Sequence, residues 1–284
     1  LPAHSDVATD QELPADMPFD SPNLSPSDTG EERSPVVVID PPGAWPTLGV
    51  RELWRYRDLL SQIVWRDFSA MYRQSVIGIA WAVIRPLLTM AILVVVFNKL
   101  AKLPSDGAAP YPILVFAAML PWQFFATSLS DASNSLVVNA NLISKVYFPR
   151  LVVPASAVIT SLVDFAISCG LLAGLMAIFQ FSPTWKIFTL PLFTLLAFLA
   201  ALGPGLLMTA LNVKYRDVRY IIPFIVQIGL YISPVGFSSS IVPEKWRLLY
   251  SLNPMVGVID GFRWAILGGD SEIYLPGFFM AIGT

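Results

Sequence analysis

Residues 151–181 read LVVPASAVITSLVDFAISCGLLAGLMAIFQF, thirty-one residues with one charged side chain, Asp164. A hydrocarbon layer of about 30 Å is crossed by roughly 20 apolar residues in a helix. This stretch is therefore long enough to span a bilayer, and that reading decides the fold. Outward from it, runs of the same kind lie at 76–97, 112 to about 129, 187–213 and 220 to about 237. A sixth run, 275–282, is cut short by the end of the sequence, and the chain starts at Leu1. We expect the native protein to continue beyond both ends. Composition agrees with the spans: 55% apolar residues, 13% charged and a mean hydropathy of +0.63 lie outside the range of soluble domains. The expected fold is an all-α polytopic membrane protein with six transmembrane helices, the last truncated here.

The net charge of -2 conceals two unlike parts. Residues 1–48 hold nine acids, nine prolines and one base, Arg33, whereas the remainder holds eleven acids and seventeen bases. Such a Pro-rich acidic segment buries too little apolar surface to offset its ordering entropy, so 1–48 reads as a disordered tail. It has no apolar stretch of the signal-peptide kind. One histidine (His4) and one cysteine (Cys169) exclude metal sites built on those residues and any disulfide within the chain.

Immediately before the opening stretch comes NANLISKVYFPR, 139–150, a short polar loop with Lys145, Tyr147, Phe148 and Arg150 crowded around Pro149. A connector that only reverses the chain needs no such set; aromatic and cationic side chains are the anchors that dominate protein interfaces. At 51–73, ahead of the first span, polar positions 51, 55, 58, 62, 66, 69 and 73 advance by three or four, with Leu53, Tyr56, Leu60, Ile63, Val64, Phe68 and Met71 on the other face. We read an amphipathic helix lying in the membrane interface, with arginines on its wet side and Trp54 and Trp65 as anchors. Twelve of the eighteen Lys and Arg fall on one side when the N-terminus is placed in the cytoplasm, which favours that orientation. Loop 139–150 and the second basic loop, NVKYRDVR at 212–219, are then cytoplasmic.

The sequence contains no GxxxxGK[ST], GxGxxG, HExxH or GxSxG pattern. Energy for any transport must come from an ion gradient or a partner. Asp164 is the acid clearly within a span, and it reads either as a proton site or as a structural carboxyl inside the bundle. Residues 238–270 are too polar to cross yet rich in Trp246, Leu248, Met255, Phe262 and Trp264; they suggest two short half-buried helices broken at Asn253–Pro254, forming a gate or a packed cap. The aromatics of LPWQFFATSLSD, 120–131, suit a sugar face but first of all an interface belt.

Five blocks in order carry a family resemblance: YRQSVIGIAWAVIRPLL (72–88), LPWQFFATSLSDASNSLV (120–137), NANLISKVYFPRLVVP (139–154), ALNVKYRDVRYIIPF (210–224) and LNPMVGVIDGFRWAILG (252–268). Together, over 50–284, they resemble the membrane permease subunit of type-2 ABC transporters that export polysaccharides such as O-antigen or capsular glycan. The resemblance implies a bacterial inner-membrane homodimer resting on a separate ATPase subunit that uses ATP and Mg, no cofactor on this chain, no nucleic acid, and a lipid-linked polysaccharide as cargo among membrane lipids. It implies ATPase coupling through Asn141, Ser144, Lys145, Val146, Tyr147, Phe148, Pro149 and Arg150, on a short helix that Pro149 ends. It makes 49–74 the interface helix, with Trp54, Arg55, Arg66, Asp67, Tyr72 and Arg73. The second cytoplasmic loop offers Tyr215, Arg216, Asp217 and Arg219, with Asp217 paired to a neighbouring Arg as a second support, or else merely carries the positive charge of an inner loop. A cargo path is expected along Trp122, Phe124, Phe125, Asp164 and Tyr231. Trp246, Asn253, Pro254, Arg263 and Trp264 fall in the extracytoplasmic gate. The rival readings are a permease of this class for teichoic acid, a lipid or a drug, and an ion-coupled secondary transporter. The latter calls for several intramembrane ionisable groups and inverted repeats.

Overall fold

The computed structural model describes residues 50–73, 80–102 and 109–268, with side chains from Leu53 to Met71 in the first of these, and the isolated positions 276, 278 and 283. All belong to one compact unit, 48–284. The acidic tail, the start of the first span, the side chains of Tyr72 and Arg73 and the run at 275–282 lie outside the described residues.

Among the described residues every regular element is helical. The interfacial helix comes as α1 (Val50–Arg55) and α2 (Arg57–Arg73), separated by a turn at Tyr56. α3 (Ala80–Leu93) runs on as a π-helical segment, Val94–Leu100. α4 (Tyr111–Val138) is followed by the six-residue α5 (Ala140–Lys145) and then α6 (Val152–Ile178). A 3₁₀ turn, Trp185–Thr189, leads into α7 (Leu190–Lys214). α8 (Val218–Ile232), α9 (Glu244–Tyr250) and α10 (Pro254–Leu267) complete the order. Four helical stretches are long and apolar enough to cross a membrane: Ala80–Leu100, Tyr111–Val138, Val152–Ile178 and Trp185–Lys214. The protein is an all-α polytopic membrane protein.

α4 is the central post. Of its most apolar 18-residue stretch 78% is buried, against 6% in the α3 span, and α6, α7 and α10 pack along it. Ile113 to Leu120 fill the core without a break because helices surround them on every side. α4 also outlasts the span expected from sequence by nine residues. Its last three turns hold Ser128, Ser130, Ser133, Asn134 and Ser135, a polar stretch most of which lies beyond the expected end of the span. Ser130, Ser133 and Ser135 donate to backbone carbonyls three or four residues back, which lets a hydroxyl sit inside a helix without an outside partner. The fifth expected span is shorter than read. α8 has 15 residues, about 22 Å at 1.5 Å per residue, and stops short of a full crossing. Residues 233–237 are a non-helical turn.

Candidate functional site

The loop at 139–150 splits into helix and extended chain. α5 ends at Lys145, and Val146 is extended (φ -128°, ψ 131°). Pro149 therefore does not end the short helix. It forces an extended Phe148 before it, and its carbonyl accepts the N–H of Val152 at 3.0 Å, opening the first turn of α6. Tyr147, Phe148 and Arg150 stand on this extended strap, a correction to the single short helix expected. Its two adjacent aromatics face opposite ways: Tyr147 is 71% exposed and Phe148 7%. Asn141, Ser144, Lys145, Val146 and Arg150 are also exposed. Phe148 is packed instead with Ile63 of α2 and with Val152 and Val153 of α6, and Tyr56 and Leu60 close the same cluster.

A second link joins α2 to the end of α4. The Arg66 guanidinium donates to Asp67 Oδ1 at 2.7 and 2.9 Å and, through Nη2, to Asn139 Oδ1 at 2.7 Å. Asn139 in turn caps α4 through its own amide, donating to the Ser135 carbonyl at 2.9 Å. Trp54 and Trp65 remain largely exposed, as anchors in lipid or interface must be, and Arg57 lies over the Trp54 ring at 5.7 Å. Arg55 is exposed.

From α4 the connection continues to α7. Thr209 donates to the Ala132 carbonyl at 2.7 Å, and Asn212 donates to the Ser133 carbonyl at 2.8 Å. Gly205 permits the close approach; a Cβ there would stand 3.3 Å from that of Ala132. The ends of α2, α4, α6 and α7 are thereby tied into one node beside the Tyr147 strap. In the following loop Tyr215, Arg216, Asp217 and Arg219 are exposed, with Lys214 over the Tyr215 ring at 5.1 Å. The ion pairs seen among the described residues are Arg57–Asp58 and Arg66–Asp67. Asp217 precedes α8 without pairing to Arg216 or Arg219, contrary to the support expected of it.

At the far end of α4 the backbone leaves α8 and turns at 233–237 inside the protein, with Ser233, Pro234, Val235 and Gly236 buried. Non-helical backbone away from water needs partners from the protein. They come from three helices. Arg263 of α10, 2% exposed, donates to the carbonyls of Phe237 (2.7 Å) and Val235 (3.2 Å). Tyr111 of α4 donates to the Gly236 carbonyl at 2.7 Å, and Tyr250 of α9 to that of Ile232 at 2.7 Å. Burial pushes the Tyr250 hydroxyl above its ordinary pKa and keeps it a donor. Asn253 accepts from Met255 N–H at 3.0 Å and donates to Ser233 Oγ at 3.1 Å, and Pro254 takes the first position of α10. α10 closes at Gly268 in the left-handed region (φ 68°). Lys186 donates to that residue's carbonyl at 3.0 Å and lies over the Trp264 ring at 4.6 Å.

The two helices of 238–270 thus break where expected, but they are not alike. α9 is exposed along one side, Trp246 included, whereas α10 is a buried element of the core.

The expected cargo path does not come together as one surface. Trp122 is 4% exposed and its ring lies against Gly229 of α8, where a Cβ would meet Cη2 at 2.5 Å. Phe124 is 2% exposed and pairs with Phe165 at 5.5 Å. Trp122 and Phe124 are therefore bundle core and not an interface belt, since neighbouring helices cover them. Phe125 packs half-buried beside Trp122, and Tyr231 points outward. Phe124 and Asp164 do share a cleft of about 380 Å³ between α3, α4 and α6. Asp131 lines it too. That second carboxyl escaped the sequence reading because the α4 span was expected to stop near 129; the polar repeat three and four residues apart at 127, 130, 131 and 134 was the available signal.

A bundle of membrane-crossing helices, preceded by the amphipathic α1 and α2 and carrying a basic aromatic strap between its second and third spans, fits a multi-pass permease. The chain belongs to the ABC-2 type transporter family, whose membrane-domain profile matches residues 58–267. It is 32% identical over 216 residues to the O-antigen export system permease protein RfbA of Myxococcus xanthus, covering 75% of this chain and 82% of that one. It is 25% identical over 232 residues to the protein of the same name from Klebsiella pneumoniae (79% and 88%). It is 24% identical over 195 residues to the inner membrane transport permease YadH of Escherichia coli (64% and 74%).

Proposed function

We propose that this permease exports lipid-linked polysaccharide, an O-antigen or capsular glycan, across the bacterial inner membrane. It works as one of two copies beside a separate ATPase subunit that hydrolyses ATP with Mg, and its N-terminus faces the cytoplasm. The cargo follows the names of the relatives, and the ATPase partner follows from membership of the ABC-2 type transporter family.

The observation that carries the coupling role is the split at Tyr147 and Phe148. An exposed ring beside a buried one makes the strap a two-sided connector. Tyr147, with Lys145 and Arg150, meets the ATPase, while Phe148 passes the displacement to α2 and α6. Arg66–Asn139 and the Thr209 and Asn212 bonds carry it on to α4 and α7. A push at one loop then moves four helix ends together. Loops connected by packed side chains and hydrogen bonds transmit displacement in this way.

Purification from native membranes followed by mass spectrometry tests the assembly. An ATPase subunit in equal amount is expected, and its absence overturns the reading. Deletion of the chain is expected to strip the glycan from the cell surface; an unchanged surface assigns the permease another cargo.

A further inference from the structure

The cleft between α3, α4 and α6 is left unused by the coupling node. On α4 its lining runs from Leu120 to Asp131, about 16 Å along the axis at 1.5 Å per residue. Its volume of about 380 Å³ falls in the range of small-molecule sites. It opens beside Met71 of α2, next to the end of the molecule that receives the push.

Its polar chemistry is one-sided. The Thr127 hydroxyl already donates to the carbonyls of Gln123 and Phe124, and the Ser161 hydroxyl to that of Ala157. Both therefore present lone pairs to a ligand. Asp131 and Asp164 add carboxylate oxygens, so the lining carries two acidic side chains against one basic one, Arg85. A phosphate or diphosphate brings acceptors and negative charge of its own and is poorly matched to such a wall. A sugar ring brings several O–H donors and no charge. Its C–H faces need flat apolar surface, which Trp81, 47% exposed, and the half-buried Phe165 provide.

We propose that this cleft holds neutral sugar units of the glycan, through hydroxyl hydrogen bonds to Asp131 and Asp164 and ring contact with Trp81 and Phe165, and leaves the lipid diphosphate outside. The assignment rests on the reading of the chain as a glycan exporter and adds which part of the cargo the cleft takes. Because Met71 borders the cleft and belongs to the helix that Phe148 and Arg66 fasten, movement of the strap changes the width of the site.

The test uses the full chain in membrane vesicles with Cys169→Ser and a single reporter thiol, Thr127→Cys, or Ser168→Cys if the first fails to fold. The rate of alkylation by N-ethylmaleimide is read with two probes: a polyprenyl diphosphate, and the same lipid diphosphate carrying a short oligosaccharide of neutral hexoses. The glycan-bearing lipid is expected to slow alkylation at least fivefold and the bare one less than twofold. Asp131→Asn with Asp164→Asn is expected to abolish the protection.

Equal protection by the bare lipid overturns the assignment in favour of a diphosphate or lipid site. No protection by either, in a protein whose deletion strips surface glycan, overturns the site and leaves the export role standing. Protection in a protein whose deletion leaves surface glycan intact removes the export role and keeps the sugar site.

Discussion

Two five-residue stretches interrupt the helices of this protein, 146–150 after α5 and 233–237 after α8, and they solve opposite problems. The first lies at the surface, where Val146, Tyr147 and Arg150 are exposed, Phe148 alone is buried and water is at hand for its backbone. The second lies inside, where every backbone oxygen must find a protein donor. Arg263 and Tyr111 supply three such bonds from two helices, and Tyr250 of a third holds the Ile232 carbonyl just before the turn. A segment held from three sides is a fixed point. A segment held by one buried ring, Phe148, with its neighbour Tyr147 free to be gripped, is a handle. The difference sets a stiff end against an open one: if, as proposed, an ATPase subunit pushes at the strap, the push works against an anchored turn.

The contrast breaks most severely at Arg263. Arg263→Met leaves the carbonyls of Val235 and Phe237 buried without this donor, at about 2 kcal/mol each and so about 4 kcal/mol together. We expect the detergent-extracted protein to lose its folded peak in fluorescence size-exclusion, with Arg263→Lys intermediate because it keeps a donor. A Met variant as stable as the parent shows that the turn is not anchored there. Phe148→Ala comes next, at about 3 kcal/mol for a buried aromatic. Its effect is local, since the cluster it fills is separate from the main core. Hydrogen exchange of 139–150 is expected to rise while the rest of α4 and α6 keeps its protection; loss of protection throughout places Phe148 in the main core after all.

What the sequence made legible follows the same division. The apolar runs declared α6 and α7 to within three residues at each end, because a long stretch of Leu, Ala, Val and Phe reads as a span. Polar residues inside helices were the source of error. The polar residues from Ser130 to Ser135 led the span to be ended near Leu129, which shortened α4 and hid Asp131. The stretch 220–237 read as one span because Pro234 and Gly236 are individually tolerated in membrane helices; the partner that makes their turn stable, Arg263, lies 26 residues beyond Phe237 and was read as lying outside the membrane. For the strap, residue types were readable and direction was not. Nothing local says that Tyr147 faces out and Phe148 in. That depends on Ile63, more than eighty positions earlier.

Smaller effects sharpen the comparison at the receptive end. Arg66→Ala removes the bond to Asn139, and because the guanidinium is 47% exposed the cost is about 0.5–1 kcal/mol. Export is expected to fall several-fold through slack between α2 and α4, and Arg66→Lys to recover part of it. Export equal to the parent in Arg66→Ala removes this bond from the path of the push.

Tyr147→Ala should have the least effect on folding and the most informative effect on function. A side chain 71% exposed buries little within this chain, so its loss is expected to change stability by less than about 0.5 kcal/mol. Extraction and thermal midpoint should match the parent. If an ATPase subunit grips the strap there, the same substitution leaves ATP hydrolysis running while surface glycan drops at least tenfold, whereas Phe148→Ala loses export together with local order. That dissociation separates a residue that receives force from one that passes it on. Full export in the Tyr147 variant, with the protein intact, would return the strap to a plain connector and leave the stiff end with nothing to work against.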